Sequence, residues 1–306
     1  MEPRTLIFFS TGEISIPLFQ ALLNDARFKV LGLVCQPDRG EPRAIKKLAV
    51  EKGLPVYQPE KLSKDEVLLE TLKKNPPDFI LTFSYGQILN EAWLSLPRLA
   101  PMNVHPSLLP KYRGPTPPQA ALLNGDAETG LSLIKMTKGM DEGPIAFQEK
   151  MAIAPHMTST LLFDEFARLA AEKIPDALMA IAEQGEQIFK EQDESQATYC
   201  KMTEREDGRI NFQEPAAKIM NRFRAYTPWP GLFTTYLGKR LKILDLEMTE
   251  DAIEPGKVKC EKHVILVGTS DGALKLKSLQ LEGKTVLHPE AFILGQPAFC
   301  SSVLPS

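Results

Sequence analysis

Long apolar runs are absent from this 306-residue sequence: none approaches the roughly 20 residues that a bilayer-spanning helix needs. The chain begins Met1-Glu-Pro-Arg and passes directly into a strand-like run at residues 6–9, so neither a secretory leader nor a membrane anchor is expected. Internal repeats and low-complexity tracts are also missing, which excludes repeat architectures. We expect a globular protein, because 43% of its residues are hydrophobic, enough for one large domain or two ordinary ones. Without a secretory leader, a cytoplasmic location is expected.

Cysteines are few and scattered. Cys35, Cys200, Cys260 and Cys300 form no C-x-x-C pair, and no histidine cluster accompanies them. The spacing of a structural zinc site is therefore lacking, and no metal is expected. Isolated cysteines are typically packing residues, and we expect reduced thiols, as in a cytoplasm.

An excess of positive charge is lacking as well, since the net charge is −3. A protein that grips nucleic acid with its whole surface needs clustered lysine and arginine, so this class is disfavoured. A small basic excess lies in the C-terminal third. By itself it predicts nothing strong about RNA.

Short apolar runs alternate with helix-like stretches over the first half of the chain. The runs are rich in β-branched and aromatic residues and cover residues 6–9, 30–34, 79–83, 102–104 and 131–136. Residues 15–26 have helical spacing, as do residues 63–74, where Ser63 and Glu66 form the pattern of a capping box. This alternation predicts an α/β fold of βαβ units around a mainly parallel sheet. The longest helical pattern, residues 158–183, contains Pro175, where a kink or break is expected.

Composition changes near residue 186. Residues 186–208 lose apolar periodicity and become rich in Gln, Glu and Lys, as in an exposed connection between domains. Beyond it, a helix at 215–226 precedes strands at 233–236, 241–246, 264–267 and 273–279. About one helix and five strands suggest a small β-barrel, compatible with an OB-fold. We predict a first domain over residues 1–203, ending in a linker from about 186, and an OB-like domain over residues 204–306.

Polar side chains that could carry chemistry gather around one predicted strand end. Asn103 and His105 are two residues apart on an extended segment, so their side chains point to the same face of the sheet. Asp141 follows the next predicted strand, in a Gly-flanked loop from which its carboxylate could reach the imidazole. Such a trio suits acyl transfer. From spacing alone, a structural histidine and a turn aspartate remain the commoner interpretations.

Two motifs favour a catalytic role for the trio over this structural interpretation. His105-Pro-Ser-Leu-Leu-Pro-Lys-Tyr-Arg-Gly-Pro-Thr-Pro117 follows Asn103, and Gly139-Met-Asp-Glu-Gly143 contains Asp141. Together they resemble the active-site signature of the 10-formyltetrahydrofolate-dependent formyltransferases, and the resemblance covers nearly the whole chain. It implies a Rossmann-like formyltransferase domain, 10-formyltetrahydrofolate as the formyl-donating cosubstrate, and Asn103, His105 and Asp141 as catalytic residues.

The same resemblance puts the folate on three segments near the trio. The implied donor-site residues are Phe83, Ser84, Tyr85, Gly86, Gln87, Ile88, Leu89, Ser107, Leu108, Leu109, Pro110, Thr137, Lys138, Gly139 and Met140. In the implied mechanism a neutral amine attacks the formyl carbon beside His105. Asn103 and protonated His105 then hold the developing oxyanion, and Asp141 keeps His105 charged.

Members of this family formylate several kinds of amine, so the second domain must decide the acceptor. Residues 206–212, 222–231 and 271–284 resemble the members that formylate the α-amino group of methionyl initiator tRNA. This tRNA is the expected partner of a monomeric enzyme. The residues expected to face it are Arg39, Arg43, Lys46, Lys47, Lys201 and Arg205. Two features depart from the pattern: the basic loop after Arg39 is several residues short, and Met202 stands where a lysine is expected.

Other interpretations remain open. The basic run after Arg39 is also typical of a solvated helix face. The shortened loop is compatible with a formyltransferase that acts on an amino-sugar nucleotide, which would share the Asn–His–Asp site. A catalytically inactive RNA-binding protein, with the barrel as its binding surface, is a further alternative. Trp229, between two prolines, is interpreted as a packing residue.

Overall fold

The computed structural model describes residues 2–305, which divide into two compact units. The first unit contains the residues through Pro117, Glu128–Ala152 and Phe163–Cys200. The second contains Pro118–Ala127, Ile153–Leu162 and the residues from Lys201 onward. Two short internal stretches thus group with the C-terminal part. The domain boundary between residues 203 and 204 stays a prediction.

A seven-stranded sheet forms the centre of the first unit. Its strands are β1 (Arg4–Phe9), β2 (Phe28–Val34), β3 (Val56–Tyr57), β4 (Phe79–Thr82), β5 (Ala100–His105), β6 (Glu128–Lys135) and β7 (Ile145–Ala152). They lie in the order β3-β2-β1-β4-β5-β6-β7; the pairs among β1 to β5 are parallel, and β6 is antiparallel to both β5 and β7. The predicted Rossmann-like, mainly parallel sheet is confirmed.

Buried apolar runs explain why the central strands form. Every residue of β4 is buried, and Phe8 and Phe9 of β1 have no exposed surface. Strands covered on both faces read as continuous hydrophobic runs, which is the pattern of a parallel sheet. The chain order reverses between β1 and β4. The carboxyl ends of strands at such a point open a crevice in which α/β proteins bind their ligands.

The α-helices before residue 185 are α1 (Ile16–Asn24), α2 (Ala44–Glu51), α3 (Glu66–Lys73), α4 (Glu91–Leu94), α5 (Pro117–Asn124) and α6 (Ser159–Gln184). Shorter 3₁₀ helices occupy Glu13–Ser15, Leu62–Lys64, Gly185–Ile188, Glu194–Gln196, Arg205–Gly208 and Pro297–Ser301. No helix between residues 2 and 305 is long and apolar enough to cross a membrane.

Two helix predictions are corrected. Ser63 does not cap α3: the cap is Asp65, whose carboxylate accepts a hydrogen bond of 2.9 Å from the Leu68 N–H, because residues 62–64 form a separate 3₁₀ turn. The helix α6 continues through Pro175 without a break, and a kink there stays a prediction. Fully buried apolar residues on either side, Phe166 and Leu178, hold the two halves in place despite the lost backbone hydrogen bond.

The second unit contains a five-stranded antiparallel sheet and two helices. These are α7 (Ala216–Tyr226), β8 (Leu232–Tyr236), β9 (Lys239–Thr249), β10 (Val258–Glu261), β11 (Val264–Gly268), β12 (Ala273–Leu281) and α8 (Pro289–Gly295). The strand order is β10-β11-β12-β9-β8, around an apolar core that includes Phe292 and Phe299. The predicted small C-terminal β-domain is confirmed, and the structure shows that its sheet is antiparallel. Within residues 2–305, no ladder joins the edge strands β8 and β10 into a closed barrel.

The expectation that all four cysteines are reduced is wrong for one pair. Cys260 in β10 and Cys300 in the last 3₁₀ helix form a disulfide, with their Cα atoms 5.2 Å apart although 40 residues separate them in sequence. The fold creates this proximity, because Phe299 packs into the core and brings the C-terminal helix against β10. Cys35 and Cys200 are free thiols.

Candidate active site

The three predicted catalytic residues lie together at the end of β5. Asn103 and His105 belong to this strand, and Asp141 lies in the loop between β6 and β7. Asp141 Oδ2 is 3.6 Å from His105 Nδ1, and Asp141 Oδ1 is 3.4 Å from Asn103 Nδ2. The side chains therefore form one constellation, while their catalytic roles stay a prediction.

The orientation of the Asn103 amide is set by Thr82, the last residue of β4. Thr82 Oγ1 donates a hydrogen bond of 2.7 Å to Asn103 Oδ1. The amide NH₂ therefore faces Asp141 and can donate to an acceptor in the crevice. The parallel ladder pairs Thr82 with Asn103. Nothing in the sequence singles out Thr82, because a buried threonine in an apolar strand carries no chemical signature.

His105 is 4% exposed, with its ring between a carbonyl and a carboxylate. Nε2 lies 3.0 Å from the carbonyl oxygen of Tyr112, which can only accept, so Nε2 carries a proton. Nδ1 then faces Asp141. Burial lowers the pKa of His105, and the Asp141 charge opposes this shift. The unliganded ring is therefore neutral near pH 7, in contrast to the protonated ring expected from the sequence, because spacing does not reveal desolvation.

The backbone of the Asp141 loop adopts conformations that are sterically unfavourable for most residues. Asp141 is left-handed, with a φ of 53°, a conformation that costs a non-glycine residue roughly 1–2 kcal/mol. The Gly114 N–H donates a hydrogen bond of 2.8 Å to its Oδ2. Gly143 closes the loop, since a Cβ there would lie 1.8 Å from the carbonyl oxygen of Lys135. The Gly-flanked motif around Asp141 thus has a steric reason at its second glycine.

Residues 190–200, within the predicted exposed connection, are bonded to the loops of the site. Their backbone forms hydrogen bonds to both the N–H and the carbonyl group of Arg113. Gln192 is buried and donates to the carbonyl oxygens of Asp141 and Gly143, each at 2.7 Å. Composition conceals this role, because a polar segment looks solvated when its partners lie some 50 residues away.

The predicted donor-site residues divide into buried and accessible positions. The side chains of Phe83, Tyr85, Leu89, Ser107 and Leu109 are buried, which leaves their backbone for ligand contact. The exposed positions are Ser84, Gly86, Ile88, Thr137, Lys138 and Met140. The Gln87 amide is bonded within the protein: it donates to the Pro59 carbonyl oxygen at 3.1 Å and accepts from the Leu62 N–H at 2.8 Å. Folate contacts at these positions stay predictions.

The predicted tRNA-binding residues differ in accessibility. Five of the six are exposed: Arg39, Arg43, Lys47, Lys201 and Arg205. Lys46 is partly buried, pairs with Asp38 and donates to Gln58 Oε1 at 2.7 Å. Its charge is therefore engaged inside the first unit. Contact between tRNA and any of the six residues stays a prediction.

A cavity of about 430 Å³ opens beside the Asp141 loop. It is lined by Lys135, Thr137, Glu142, Pro144, Glu186, Glu191 and Glu194. Its lysine pairs with Glu186 at 2.6 Å, so the lining is negative overall and unsuited to the carboxylates of a folate. In the part of the chain that the structure describes, no group of three or more His, Cys, Asp or Glu residues could hold a metal ion.

Comparison with known proteins defines the class. A family model described as "Formyl transferase" matches residues 7–178, and one described as "Formyl transferase, C-terminal domain" matches residues 202–297. The chain belongs to the formyl transferase family. The N-formyltransferase from Helicobacter canadensis, solved with folinic acid and dTDP-3-aminofucose, has a TM-score of 0.68 at 17% identity, covering 90% of this chain and 98% of that one. HypX from Aquifex aeolicus, in complex with tetrahydrofolic acid, has a TM-score of 0.62 at 19% identity, covering 99% of this chain and 48% of that one.

Relatives of higher sequence identity show which members of the formyl transferase family this chain is similar to. The methionyl-tRNA formyltransferase of Dehalococcoides mccartyi is 37% identical, over 98% of this chain and 98% of its own length. That of Staphylococcus aureus is 38% identical, over 95% of this chain and 96% of its own. This chain is therefore similar, along nearly its whole length, to methionyl-tRNA formyltransferases. The solved structures, at under 20% identity, show the fold alone.

Proposed function

We propose that this chain is an enzyme that transfers the formyl group of 10-formyltetrahydrofolate to the α-amino group of methionyl initiator tRNA. The observation that carries the proposal is the Asn–His–Asp constellation, with Asp141 at 3.6 Å from His105 and 3.4 Å from Asn103. It occurs in a chain whose relatives, at 37–38% identity and nearly full coverage, are methionyl-tRNA formyltransferases. The N-formyltransferase from Helicobacter canadensis shares the fold at 17% identity, which favours no acceptor.

In the proposed mechanism the neutral α-amine attacks the formyl carbon, and the carbonyl oxygen takes up negative charge. The Asn103 NH₂, oriented by Thr82, donates to that oxygen; a donor of this kind contributes about 10²–10³ in rate. The amine proton passes to the unprotonated Nδ1 of His105, and the Asp141 carboxylate stabilises the imidazolium. The same proton goes to N10 of the folate as the bond between N10 and the formyl carbon breaks. Atoms and charge then balance.

The donor binds at residues 83–89, 107–110 and 137–140. Ile88 and Met140 are 84% and 62% exposed, and their apolar surface suits the faces of a planar pterin. Tyr85 packs in the core beneath the first segment and keeps its backbone in place. Steady-state kinetics of Ile88→Ala should show a raised donor KM with kcat retained. An unchanged donor KM would remove Ile88 from the site.

The exposed basic residues Arg39, Arg43, Lys47, Lys201 and Arg205 contact tRNA phosphates, whereas Lys46 supports its own loop through Asp38 and Gln58. Each phosphate contact releases counterions, so binding weakens with salt. The double variant of Arg39→Ala and Arg43→Ala should raise the tRNA KM and flatten its salt dependence while the donor KM is retained. A salt slope equal to that of the parent would show that these two residues do not reach the tRNA.

The decisive experiment measures formyl transfer from 10-formyltetrahydrofolate to three acceptors: methionyl initiator tRNA, methionyl elongator tRNA and an amino-sugar nucleotide. Selective formylation of the initiator tRNA supports both donor and acceptor. Transfer to the amino-sugar nucleotide alone would identify a sugar formyltransferase. Tight tRNA binding without any transfer would identify an RNA-binding protein that has lost its activity.

The proposed acceptor implies a cytoplasmic enzyme, because aminoacylated tRNA is made and used there. We also propose that the enzyme is a monomer that needs no membrane. Light scattering should give a mass near 34.1 kDa. A mass of twice this value would contradict the monomer.

A further inference from the structure

The side-chain amide of Gln192 uses all its hydrogen-bonding capacity. Nε2 donates to the carbonyl oxygens of Asp141 and Gly143, each at 2.7 Å. Oε1 accepts from Arg113 Nε at 3.1 Å and from Nη2 at 2.9 Å. Two donated and two accepted bonds are the amide's full complement. The orientation of the amide is therefore fixed, since only its nitrogen can donate to the two carbonyl oxygens.

Arg113 supports Gln192 from the other side. Its side chain has no exposed surface, and all five of its N–H groups donate. Besides Gln192, the acceptors are the Glu194 carboxylate, at 2.6 and 2.9 Å, and the Tyr199 hydroxyl, at 3.2 Å. A buried charge is tolerated when it is paired and its hydrogen bonds are complete. Arg113 thus gives the Gln192 amide a rigid support.

We propose that Gln192 and Arg113 are positioning residues that hold the loop of residues 139–143 so that the Asp141 carboxylate stays beside His105. This inference rests on the proposed function, in which Asp141 stabilises the protonated ring. The left-handed Asp141 backbone is unfavourable unless its carbonyl group is held, and Gln192 holds it. The Asp141 carboxylate accepts a hydrogen bond of 2.8 Å from the Gly114 N–H, whereas its 3.6 Å separation from His105 is too long for one. Gly114 thus orients the carboxylate, and Gln192 holds the backbone that carries it.

Displacement of Asp141 has a measurable electrostatic consequence at His105. The ring faces the Asp141 carboxylate and the Tyr112 carbonyl, and the Cys200 thiol lies 3.7 Å from that same carbonyl oxygen. Burial raises the pKa of Cys200, so the thiol is neutral near pH 7. Arg113 is paired with Glu194. Asp141 is therefore the charge that raises the pKa of His105 against burial, and moving it away lowers that pKa.

The kinetic test uses Gln192→Met, which keeps the length of the side chain and removes its hydrogen bonds. We expect kcat to fall about 10- to 100-fold, the scale set by misplacing a catalytic group by about 1 Å. The tRNA KM should stay within about threefold, since acceptor binding does not use Asp141, whereas the donor KM should rise because Gly139 and Met140 belong both to the held loop and to the proposed donor site. Gln196→Ala is the matched control, because this exposed amide of the same segment bonds to the neighbouring Asp193. It should retain the parental kcat.

A second variant distinguishes a loss of positioning from a loss of folding. Gln192→Glu keeps a partner for Arg113 but has no N–H groups for the carbonyl oxygens of Asp141 and Gly143. With thermal unfolding like that of the parent chain, it should lose kcat to a similar extent as Gln192→Met. A folded Gln192→Glu protein with full kcat would overturn the positioning role.

A readout independent of activity is the NMR titration of His105, which is practicable because the chain has four histidines. The midpoint of His105 should move to lower pH in Gln192→Met and stay unchanged in Gln196→Ala. A purely structural Gln192 would reduce the amount of folded enzyme and leave this midpoint in place, which overturns the proposal. If the parent chain transfers no formyl group, the proposed function fails, and the titration still decides whether Gln192 positions Asp141.

Discussion

Replacing Asp141 with asparagine removes one charge from the proposed active site with almost no change in size. In the parent chain the Gly114 N–H donates a hydrogen bond of 2.8 Å to the Asp141 carboxylate. The asparagine side chain keeps an oxygen that can accept this bond, so the loop should keep its conformation. What disappears is the negative charge 3.6 Å from His105 Nδ1. In the proposed mechanism this charge acts when the ring takes the amine proton, rather than when the donor binds.

Coulomb's law sets the size of the effect. Two unit charges at 3.6 Å interact by roughly 4–5 kcal/mol at an effective dielectric constant of about 20. The Asp141 side chain is 17% exposed, so solvent screens part of this interaction. We expect a transition-state loss of roughly 3–4 kcal/mol, which corresponds to a decrease of about 10²- to 10³-fold in kcat.

The assay is steady-state formyl transfer to methionyl initiator tRNA, together with binding of 5-formyltetrahydrofolate as an unreactive donor analogue. Asp141→Asn should lower kcat as stated and leave analogue binding within about threefold. Asp164→Asn, an exposed change on α6, is the control and should leave both unchanged. A kcat above about a tenth of the parental value in Asp141→Asn, or a loss of analogue binding with kcat retained, would contradict this role of Asp141.

Three further predictions concern other parts of the structure. Thr82→Val removes the hydroxyl that orients the Asn103 amide, so kcat should fall about tenfold, the value of one hydrogen bond, with donor KM unchanged in the same assay. Because burial lowers the pKa of His105, the unfolded chain binds this proton more readily, and stability should decline as the pH falls below about 6.5. Urea unfolding of His105→Gln should show a smaller decline, and an equal decline would exclude His105 as its source. The Cys260–Cys300 disulfide closes a 40-residue separation, so reduction should lower the free energy of unfolding by about 2–4 kcal/mol. Cys260→Ser should abolish this sensitivity to reductant; equal sensitivity in both proteins would contradict it.

The hydrophobic pattern located the central strands because they are buried on both faces. Residues 79–83 form one apolar run, and the structure has β4 at Phe79–Thr82. The same pattern missed β3, which is two residues long, and β7, none of whose residues is fully buried. Strands of this kind are stabilised by pairing with a neighbour, which a local window of sequence does not contain.

The motifs identified Asn103, His105 and Asp141 as candidates, but the distances between their side chains depend on the fold. The strand before Asp141 is antiparallel to β5, and its last residue, Lys135, lies opposite Met102. The loop must therefore turn back to reach His105, and it does so with a left-handed Asp141 and a glycine at position 143. Resemblance to a family predicted that the three residues form one site, whereas spacing alone favoured a structural histidine.

Apolar periodicity and short motifs are local properties of the chain, and from them the α/β class, a small C-terminal β-domain and the trio of Asn103, His105 and Asp141 could be predicted. The partners of that trio and of the cysteines could be identified only in the folded chain, because they lie far away in sequence. The Thr82 hydroxyl bonds to Asn103, 21 residues away, and the Gln192 amide bonds to Asp141, 51 residues away. Cys260 and Cys300 are 40 residues apart in sequence. The neutral state of His105 follows from burial, which exists only once the chain has folded around the ring.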